Sequence, residues 1–159
     1  METGSTLMPG NRRLVRMKTA SKLIDKYSEE AEKCGKSNAF FAGCVMVGAA
    51  LEGILLIMTR AFPHQVRYRG HRVSERRTLG QLIHLAEECG WLDDLGRGHS
   101  RSILDARNQL HPDRIAGRKK IPRITRDDLD DRLIDLWGVR RSLRRFLLMA
   151  MVRSATRKR

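Results

Sequence analysis

Arg107 and His111 are the residues whose types and spacing are best suited to chemistry, in the segment D-A-R-N-Q-L-H-P at 105–112. On a helix, side chains four residues apart project to one side, so this pair can meet one phosphate. Arginine stabilises charge that develops on phosphate. A histidine that titrates near neutral pH can take a proton from a 2′-hydroxyl or give one to a leaving oxygen. The motif therefore indicates phosphate binding or RNA cleavage.

The same residues also have structural interpretations. An unpaired charge in a protein core is expensive, so Arg107 can neutralise Glu52, the only charge in a long apolar run. Asn108 and His111 can cap a helix end, where a histidine interacts well with free carbonyl groups. Because residues before a proline avoid helical geometry, we expect His111 at or just past the last turn. Structural and catalytic roles can coexist.

The apolar run that must position this pair covers residues 39–58. About 20 apolar residues can cross a bilayer, so length alone permits a membrane span. A carboxylate at mid-span costs at least roughly 2.5 kcal/mol, and the run also contains Gly43, Gly48 and Gly53. We therefore predict a buried helix at the centre of a bundle, no membrane association, and a Glu52 carboxylate that faces Arg107.

A helix is predicted before this run, over 11–34, because apolar residues recur there at helical spacing. Gly35 is expected to end that helix. Ser37 or Asn38 is expected to cap the central helix by offering a side-chain oxygen to the N–H groups of its first turn. Pro63 is expected to end the central helix.

Later helices are predicted from capping patterns. Thr78 and Gln81 form a capping-box pattern, and the helix that follows is expected to stop at Gly90. A turn at 93–98 is expected to lead into a shorter helix at 100–110.

Basic residues between these helices are candidates for contact with RNA. The segment at 60–77 is predicted to be a long exposed loop, in which arginines match phosphate geometry and a tyrosine can stack on a base. A second basic loop is predicted at 113–122. The nucleic-acid-binding candidates are Arg67, Tyr68, Arg69, Arg72, Arg76, Arg77, Arg118, Lys119 and Lys120. The alternative is a solvated linker of ordinary charge.

The last helix is predicted to start with a second capping box, formed by Thr125 and Asp128. Its apolar residues follow an alternating spacing of four and three that Arg140 interrupts, and such a seam can face a neighbouring helix or a second subunit. The seam residues are Leu129, Leu133, Leu136, Leu143, Leu147 and Ala150. Residues 140–159 include eight basic side chains and no acid, which favours the helix C-terminus or a polyanion contact.

Composition is typical of a single basic domain. The 159 residues include 32 Lys and Arg against 18 Asp and Glu, a formal charge of +14, so RNA or another polyanion is the default partner. An arginine-rich surface without such a partner is the alternative.

Cysteines 34, 44 and 89 lack CxxC spacing, so we expect neither a disulfide framework nor a metal site, and no cofactor. With no signal-peptide pattern in residues 1–13, we expect a cytoplasmic protein.

These patterns predict an all-α, up-and-down helical bundle of about five helices around a buried apolar helix. Residues 1–10 are expected to form a flexible lead, residues 11–152 the bundle, and residues 153–159 a basic tail.

Two stretches resemble the HEPN-like superfamily, helical domains named for higher eukaryotes and prokaryotes nucleotide-binding. They are the Ala- and Gly-rich sequence V-M-V-G-A-A-L-E-G-I-L-L at 45–56 and the RNxxHP motif at 107–112. The resemblance implies a homodimeric metal-independent endoribonuclease, often a toxin or defence effector. It implies that Arg107 holds the scissile phosphate, His111 is the general acid/base, Asn108 orients a phosphate or hydroxyl, and Glu52 positions Arg107.

Fewer residues separate Arg107 from His111 here than in the ribonuclease pattern of that superfamily. Other HEPN-like members are non-catalytic modules. The alternative function is therefore a module that docks a nucleic acid, an antitoxin or another protein partner.

Overall fold

The computed structural model describes residues 9–73, 76–111, 115–116 and 122–156. Six helices of six residues or more form this part of the chain, and none of its residues lies in a β-strand. They are α1 (Pro9–Lys36), α2 (Phe40–Ala61), α3 (Pro63–Tyr68), α4 (Leu79–Glu88), α5 (Asp94–Gln109) and α6 (Arg126–Thr156). The prediction of an all-α bundle is confirmed.

Helix α2 is the centre of the bundle and contacts each of the other five helices. Its core-facing side chains include Cys44, Val47, Leu51, Leu55 and Met58, all of them buried. Within the described residues, α2 is also the helix whose length and composition would allow it to cross a membrane, and 39% of its most apolar window is buried. The contacts on its several sides are those of a core helix.

Two glycines let neighbouring helices approach the backbone of α2 closely. A Cβ atom at Gly43 would lie 2.7 Å from Cδ2 of Leu129 on α6, and one at Gly53 would lie 2.8 Å from Cγ1 of Ile24 on α1. Gly43 also lies against Cys34 of α1. The pairings of residue 24 with 53 and of residue 34 with 43 show that α1 and α2 run antiparallel.

The turn between α1 and α2 differs from the prediction. Asn38, not Gly35, has the left-handed conformation that ends a helix, with φ 58°. The Ser37 hydroxyl donates back to the carbonyl groups of Lys33 and Cys34, so it satisfies the end of α1. The expected cap of α2 by Ser37 or Asn38 is therefore wrong, and α2 starts after Ala39 without a side-chain cap.

Both predicted capping boxes are confirmed. Gln81 N–H donates to the Thr78 hydroxyl, and the Gln81 side chain accepts from Thr78 N–H at the start of α4. At the start of α6, the Asp128 carboxylate accepts from Thr125 N–H at 2.8 Å, and Asp128 N–H donates to the Thr125 hydroxyl. The Thr125 hydroxyl and the Thr125 N–H both donate to the Asp128 carboxylate, and these two hydrogen bonds hold its pKa below the usual value. Each box fixes a helix start from local sequence alone.

One loop prediction is wrong in its first half and another is wrong throughout. The segment predicted as a loop at 60–77 starts within α2 and contains all of α3, for which Pro63 supplies the first residue, whereas its described residues after Tyr68 are non-helical as predicted. Helix α5 starts at Asp94 instead of residue 100, with Asp93 as its cap. The turn expected at 93–98 is therefore the first turn of α5.

Helix α6 packs antiparallel to α5. Gly96 lies against Ser142, His99 against Gly138, and Arg132 donates to the carbonyl group of Ser102 at 3.0 Å. The apolar seam predicted for α6 is used inside the chain: Leu129, Leu136 and Leu143 are buried, and Leu133 is partly buried. Beyond Leu143 the seam emerges from the core, since Leu147 is 38% exposed.

Candidate functional site

The contact predicted between Glu52 and Arg107 is present in the structure. Arg107 Nη2 of α5 donates to Glu52 Oε2 of α2 at 3.4 Å. The stem of Arg107 crosses α2 at Gly48, where a Cβ atom would lie 3.1 Å from Arg107 Cδ. Because Gly48 and Glu52 are one helical turn apart, the missing side chain at the first directs the guanidinium to the second.

This pair lies at the edge of the core. The side chains of Arg107 and Glu52 are 36% and 32% exposed, so water screens the ion pair and its stabilising effect is at most about 1 kcal/mol. The hydrogen bond to Glu52 involves Nη2, one of the two terminal nitrogens of the Arg107 guanidinium. A partly exposed arginine oriented by a carboxylate can bind an oxyanion with its other N–H groups.

The other two motif residues lie at the end of α5. Asn108 is partly buried, and its carbonyl group accepts the N–H of His111 at 3.3 Å. His111 follows the cap residue Leu110, as expected for a residue before proline, and it is exposed. The structure therefore presents a histidine to solvent within four residues of the Glu52-bound arginine.

The basic candidates at 67–77 lie at the end of a short helix and in the non-helical segment that follows it. Tyr68 at the end of α3 is 86% exposed, and the guanidinium carbon of Arg69 lies 5.9 Å from the centre of its ring. Arg67, Arg72 and Arg76 are exposed as well. The result is a basic surface that carries one open aromatic ring.

Two hydrogen bonds restrain the segment between α3 and α4, which forms part of this basic surface. Arg77 Nη2 donates to the carbonyl group of Arg72 at 2.8 Å. The ring of His71 lies 2.9 Å from the Glu88 carboxylate of α4, and this hydrogen bond holds the pKa of Glu88 below its usual value. Arg118, Lys119 and Lys120 lie outside the described residues.

Sequence reasoning missed a polar cluster between α5 and α6. His99 Nδ1 lies 2.7 Å from Asp135 Oδ1, and Arg132 Nη1 lies 3.3 Å from Asp135 Oδ2. Arg132 also donates to the hydroxyl of Ser102. The sequence gives only a weak signal for this cluster. It consists of two pairs at i, i+3 spacing, His99 with Ser102 and Arg132 with Asp135, and whether the pairs meet depends on how α5 and α6 are aligned. The carboxylate orients the imidazole, an arrangement found in general-base sites.

The cysteines are free thiols, and Cys44 is buried. Burial raises the pKa of the Cys44 thiol to about 11, which disfavours the reactive thiolate. Within the described residues, no group of three or more His, Cys, Asp or Glu side chains is arranged to hold a metal ion.

A groove of about 990 Å³ lies between the turn after α4 and the second half of α6. Its lining residues include the apolar side chains of Trp91, Phe146 and Met149 and the basic side chains of Arg145 and Arg153. Glu52, Arg107, Asn108 and His111 are not among the residues that line this groove. The groove is therefore a feature separate from the Glu52–Arg107 pair.

No protein-family model, curated protein or solved structure matches this chain. The resemblance to HEPN-like domains stays a prediction from two sequence motifs.

Proposed function

We propose that this chain is a HEPN-like RNA-associated protein that cleaves RNA without a metal ion. The observation that supports the proposal most directly is the Glu52–Arg107 contact at 3.4 Å, which orients a partly exposed guanidinium close in sequence to the exposed His111. The formal charge of +14 favours association with a polyanion.

In this mechanism Arg107 binds a non-bridging oxygen of the scissile phosphate and stabilises its developing charge. His111 takes the proton of the adjacent 2′-hydroxyl, and the 2′-oxygen forms a bond to phosphorus. The bond from phosphorus to the 5′-oxygen breaks, and the histidinium returns its proton to that oxygen. The products are a 2′,3′-cyclic phosphate and a 5′-hydroxyl. Asn108 orients a phosphate or hydroxyl oxygen.

Glu52 acts through Arg107 in this proposal and touches no substrate. Its carboxylate restricts the guanidinium to one side of Gly48, which lowers the entropy lost when Arg107 binds phosphate. Glu52→Gln keeps a hydrogen-bond acceptor, so we expect it to reduce cleavage less than Glu52→Ala does.

The test is cleavage of a single-stranded RNA by the purified protein in the presence of a metal chelator. Replacing His111 or Arg107 by Ala should lower the rate by about 10²–10⁴-fold. A substrate with a 2′-deoxy sugar at the cleaved position should be resistant. Matched controls are His84→Ala and Arg97→Ala, which remove an exposed histidine of α4 and an exposed arginine of α5. Cleavage that survives both motif substitutions contradicts the proposal.

A non-catalytic RNA-binding module is the second candidate, and the exposed Tyr68 beside Arg69 favours it. Tyr68→Ala with Arg67→Glu should then abolish RNA affinity, while His111→Ala should leave it unchanged. The affinity should fall as salt rises, because phosphate contacts release counterions. An affinity independent of salt excludes this candidate.

A further inference from the structure

One side of the second half of α6 lines the groove of about 990 Å³. The lining positions of α6 are adjacent or lie three or four residues apart, so they share one face of the helix. They are Ser142, Arg145, Phe146, Met149, Ala150, Arg153 and Thr156. A concave space of this size is typical of sites that bind small molecules.

Apolar side chains make up much of the groove lining. Trp91 and Phe146 both pack against Phe62, with ring centres 6.1 and 5.3 Å from it, so the aromatic part of the lining is fixed by the core. Met149 also lines the groove and is 58% exposed. An exposed methionine beside fixed aromatic rings can contact an apolar ligand.

The polar side chains of the lining already have hydrogen-bond partners within the chain. Gln65 accepts from Trp91 Nε1 at 2.5 Å, and the Ser142 hydroxyl accepts the N–H of Asp93. The hydroxyl of Thr156 donates to carbonyl groups of its own helix. The uncharged polar side chains therefore give little reason for a ligand to be polar along its length.

Three charged side chains line the groove, and two of them compensate each other. Arg145 Nη1 lies 3.2 Å from Asp93 Oδ2. Arg153 lies eight residues after Arg145, about 12 Å along the helix. It is exposed, and it forms no ion pair with another residue in the described part of the chain. The groove therefore has one uncompensated positive charge, towards the C-terminal end of α6.

An apolar lining with a single free cation favours one class of ligand. A nucleic acid has many charges, and a peptide has N–H and C=O groups that require hydrogen-bond partners when buried. A fatty acid has one carboxylate, which a guanidinium binds well, and a chain that gains by leaving water. Arg153 and Ser142 are about 17 Å apart along the helix at 1.5 Å per residue, close to the length of an extended twelve-carbon chain.

We propose that this groove binds a single-chain amphiphile with one anionic head group, of which a long-chain fatty acid is the simplest example. The carboxylate pairs with Arg153, and the chain lies against Met149, Phe146 and Trp91. The site goes beyond the proposed RNA cleavage and uses none of the residues assigned to it, so either can fail without the other.

The first test is calorimetric titration of the full chain with dodecanoate, below its micelle concentration and without RNA. We expect a Kd of about 1–100 μM for a ligand of this size. Arg153→Met keeps an apolar stem but removes the charge, and it should raise the Kd about tenfold. Arg144→Met is the matched control, because Arg144 is exposed on α6 and does not line the groove. It should leave the Kd unchanged.

Two further measurements locate the bound chain. Ala150→Phe places a ring in the groove and should abolish binding, whereas Leu148→Phe on an exposed position outside the groove should not. Cys89 lines the groove and Cys44 is buried. In the variant Cys34→Ser, saturating dodecanoate should therefore slow the labelling of Cys89 by N-ethylmaleimide.

The identity of the ligand class is tested with dodecyltrimethylammonium, which has the same chain and a positive head group. We expect it to bind at least about tenfold more weakly than dodecanoate. Equal binding of the two amphiphiles, equal effects of Arg153→Met and Arg144→Met, or no binding of dodecanoate overturns the proposal. Binding to phosphatidylglycerol vesicles by a chain that does not bind dodecanoate overturns it as well.

Discussion

Asp93 connects three groups at the junction of α5 and α6. Its Oδ1 accepts the N–H of Gly96 at 2.8 Å, its Oδ2 lies 3.2 Å from Arg145, and its own N–H donates to the Ser142 hydroxyl at 2.9 Å. The hydrogen bond from Gly96 is the largest of the effects that hold the pKa of Asp93 below its usual value. One residue therefore caps α5 and ties it to α6.

Stability should depend on the charge of Asp93. A carboxyl whose pKa is lowered on folding contributes stability above its unfolded pKa and loses it as pH falls through the folded value. Asn caps helices as well as Asp, so Asp93→Asn removes the charge alone and should cost at most about 1 kcal/mol at pH 7. The difference should shrink below the usual pKa of 3.8, and urea unfolding from pH 7 to 2 measures it.

Asp94→Asn is the matched control, because that side chain is fully exposed one residue along the chain. A difference between wild type and Asp93→Asn that stays constant down to pH 2 would show that the charge makes no contribution.

Part of the candidate site was predictable at the level of single residues. Glu52 is the only charge in an apolar run that was predicted to be buried, so its need for a partner and the position of Arg107 late in a later helix predicted their contact. The contact of His99 with Asp135 was not predictable, because neither residue is unusual for an exposed helical face. Their meeting depends on how far α5 slides along α6, which local sequence does not determine.

Glycine has different roles in the helices of this protein. Gly43 of α2 is where Leu129 of α6 touches the backbone, and a Cβ atom there would lie 2.7 Å from that side chain. Gly98 of α5 has nothing within 4 Å of the position its Cβ would occupy. Substitutions at Gly43 and Gly98 therefore distinguish the effect of packing from the effect of helix propensity.

Gly43→Ala should destabilise the protein by about 1–3 kcal/mol, because Leu129 is completely buried and has to shift. Gly98→Ala should stabilise it by about 0.5–1 kcal/mol, since alanine restricts the unfolded chain and favours helix. Free energies of unfolding from urea titration compare the two variants with wild type. Equal effects at both positions would contradict the close approach of α6 to α2.

Helix starts were predicted well where the signal is local and poorly where tertiary contacts decide. The hydroxyl of Thr78 and that of Thr125 meet a suitable partner three residues later, and both starts are correct. Gly96 and Gly98 were interpreted as a turn, yet both are helical. Gly96 is required for packing, because the Ser142 side chain occupies the space beside its Cα.

At the scale of the whole molecule, the described chain contains two antiparallel helix pairs. Helices α1 and α2 form the first pair, and α5 and α6 form the second. Cys44 lies where they meet, beside a pocket of about 280 Å³ that Asp105 and Arg132 also line. The Cys44 side chain is only 3% exposed, so a reagent in solution has little access to its thiol.

The thiol of Cys44 should be protected in the folded protein. In the variant Cys34→Ser with Cys89→Ser, labelling by Ellman's reagent at pH 8 should be more than about a thousandfold slower in buffer than in concentrated urea. The raised pKa of about 11 adds to this protection, since little thiolate is present at pH 8. Labelling in buffer at a rate close to that in urea would contradict the packing of α2 against the second pair.

The contact between Arg107 and Glu52 joins these two pairs across 55 residues of sequence. Each pair is held by contacts that it makes within itself, whereas the crossing of Arg107 over Gly48 exists only after the pairs have docked. During synthesis the first pair can fold while the second is still inside the ribosome. A nascent chain therefore carries Glu52 before its partner Arg107 has been synthesised, and the candidate site is assembled only when α5 docks on α2.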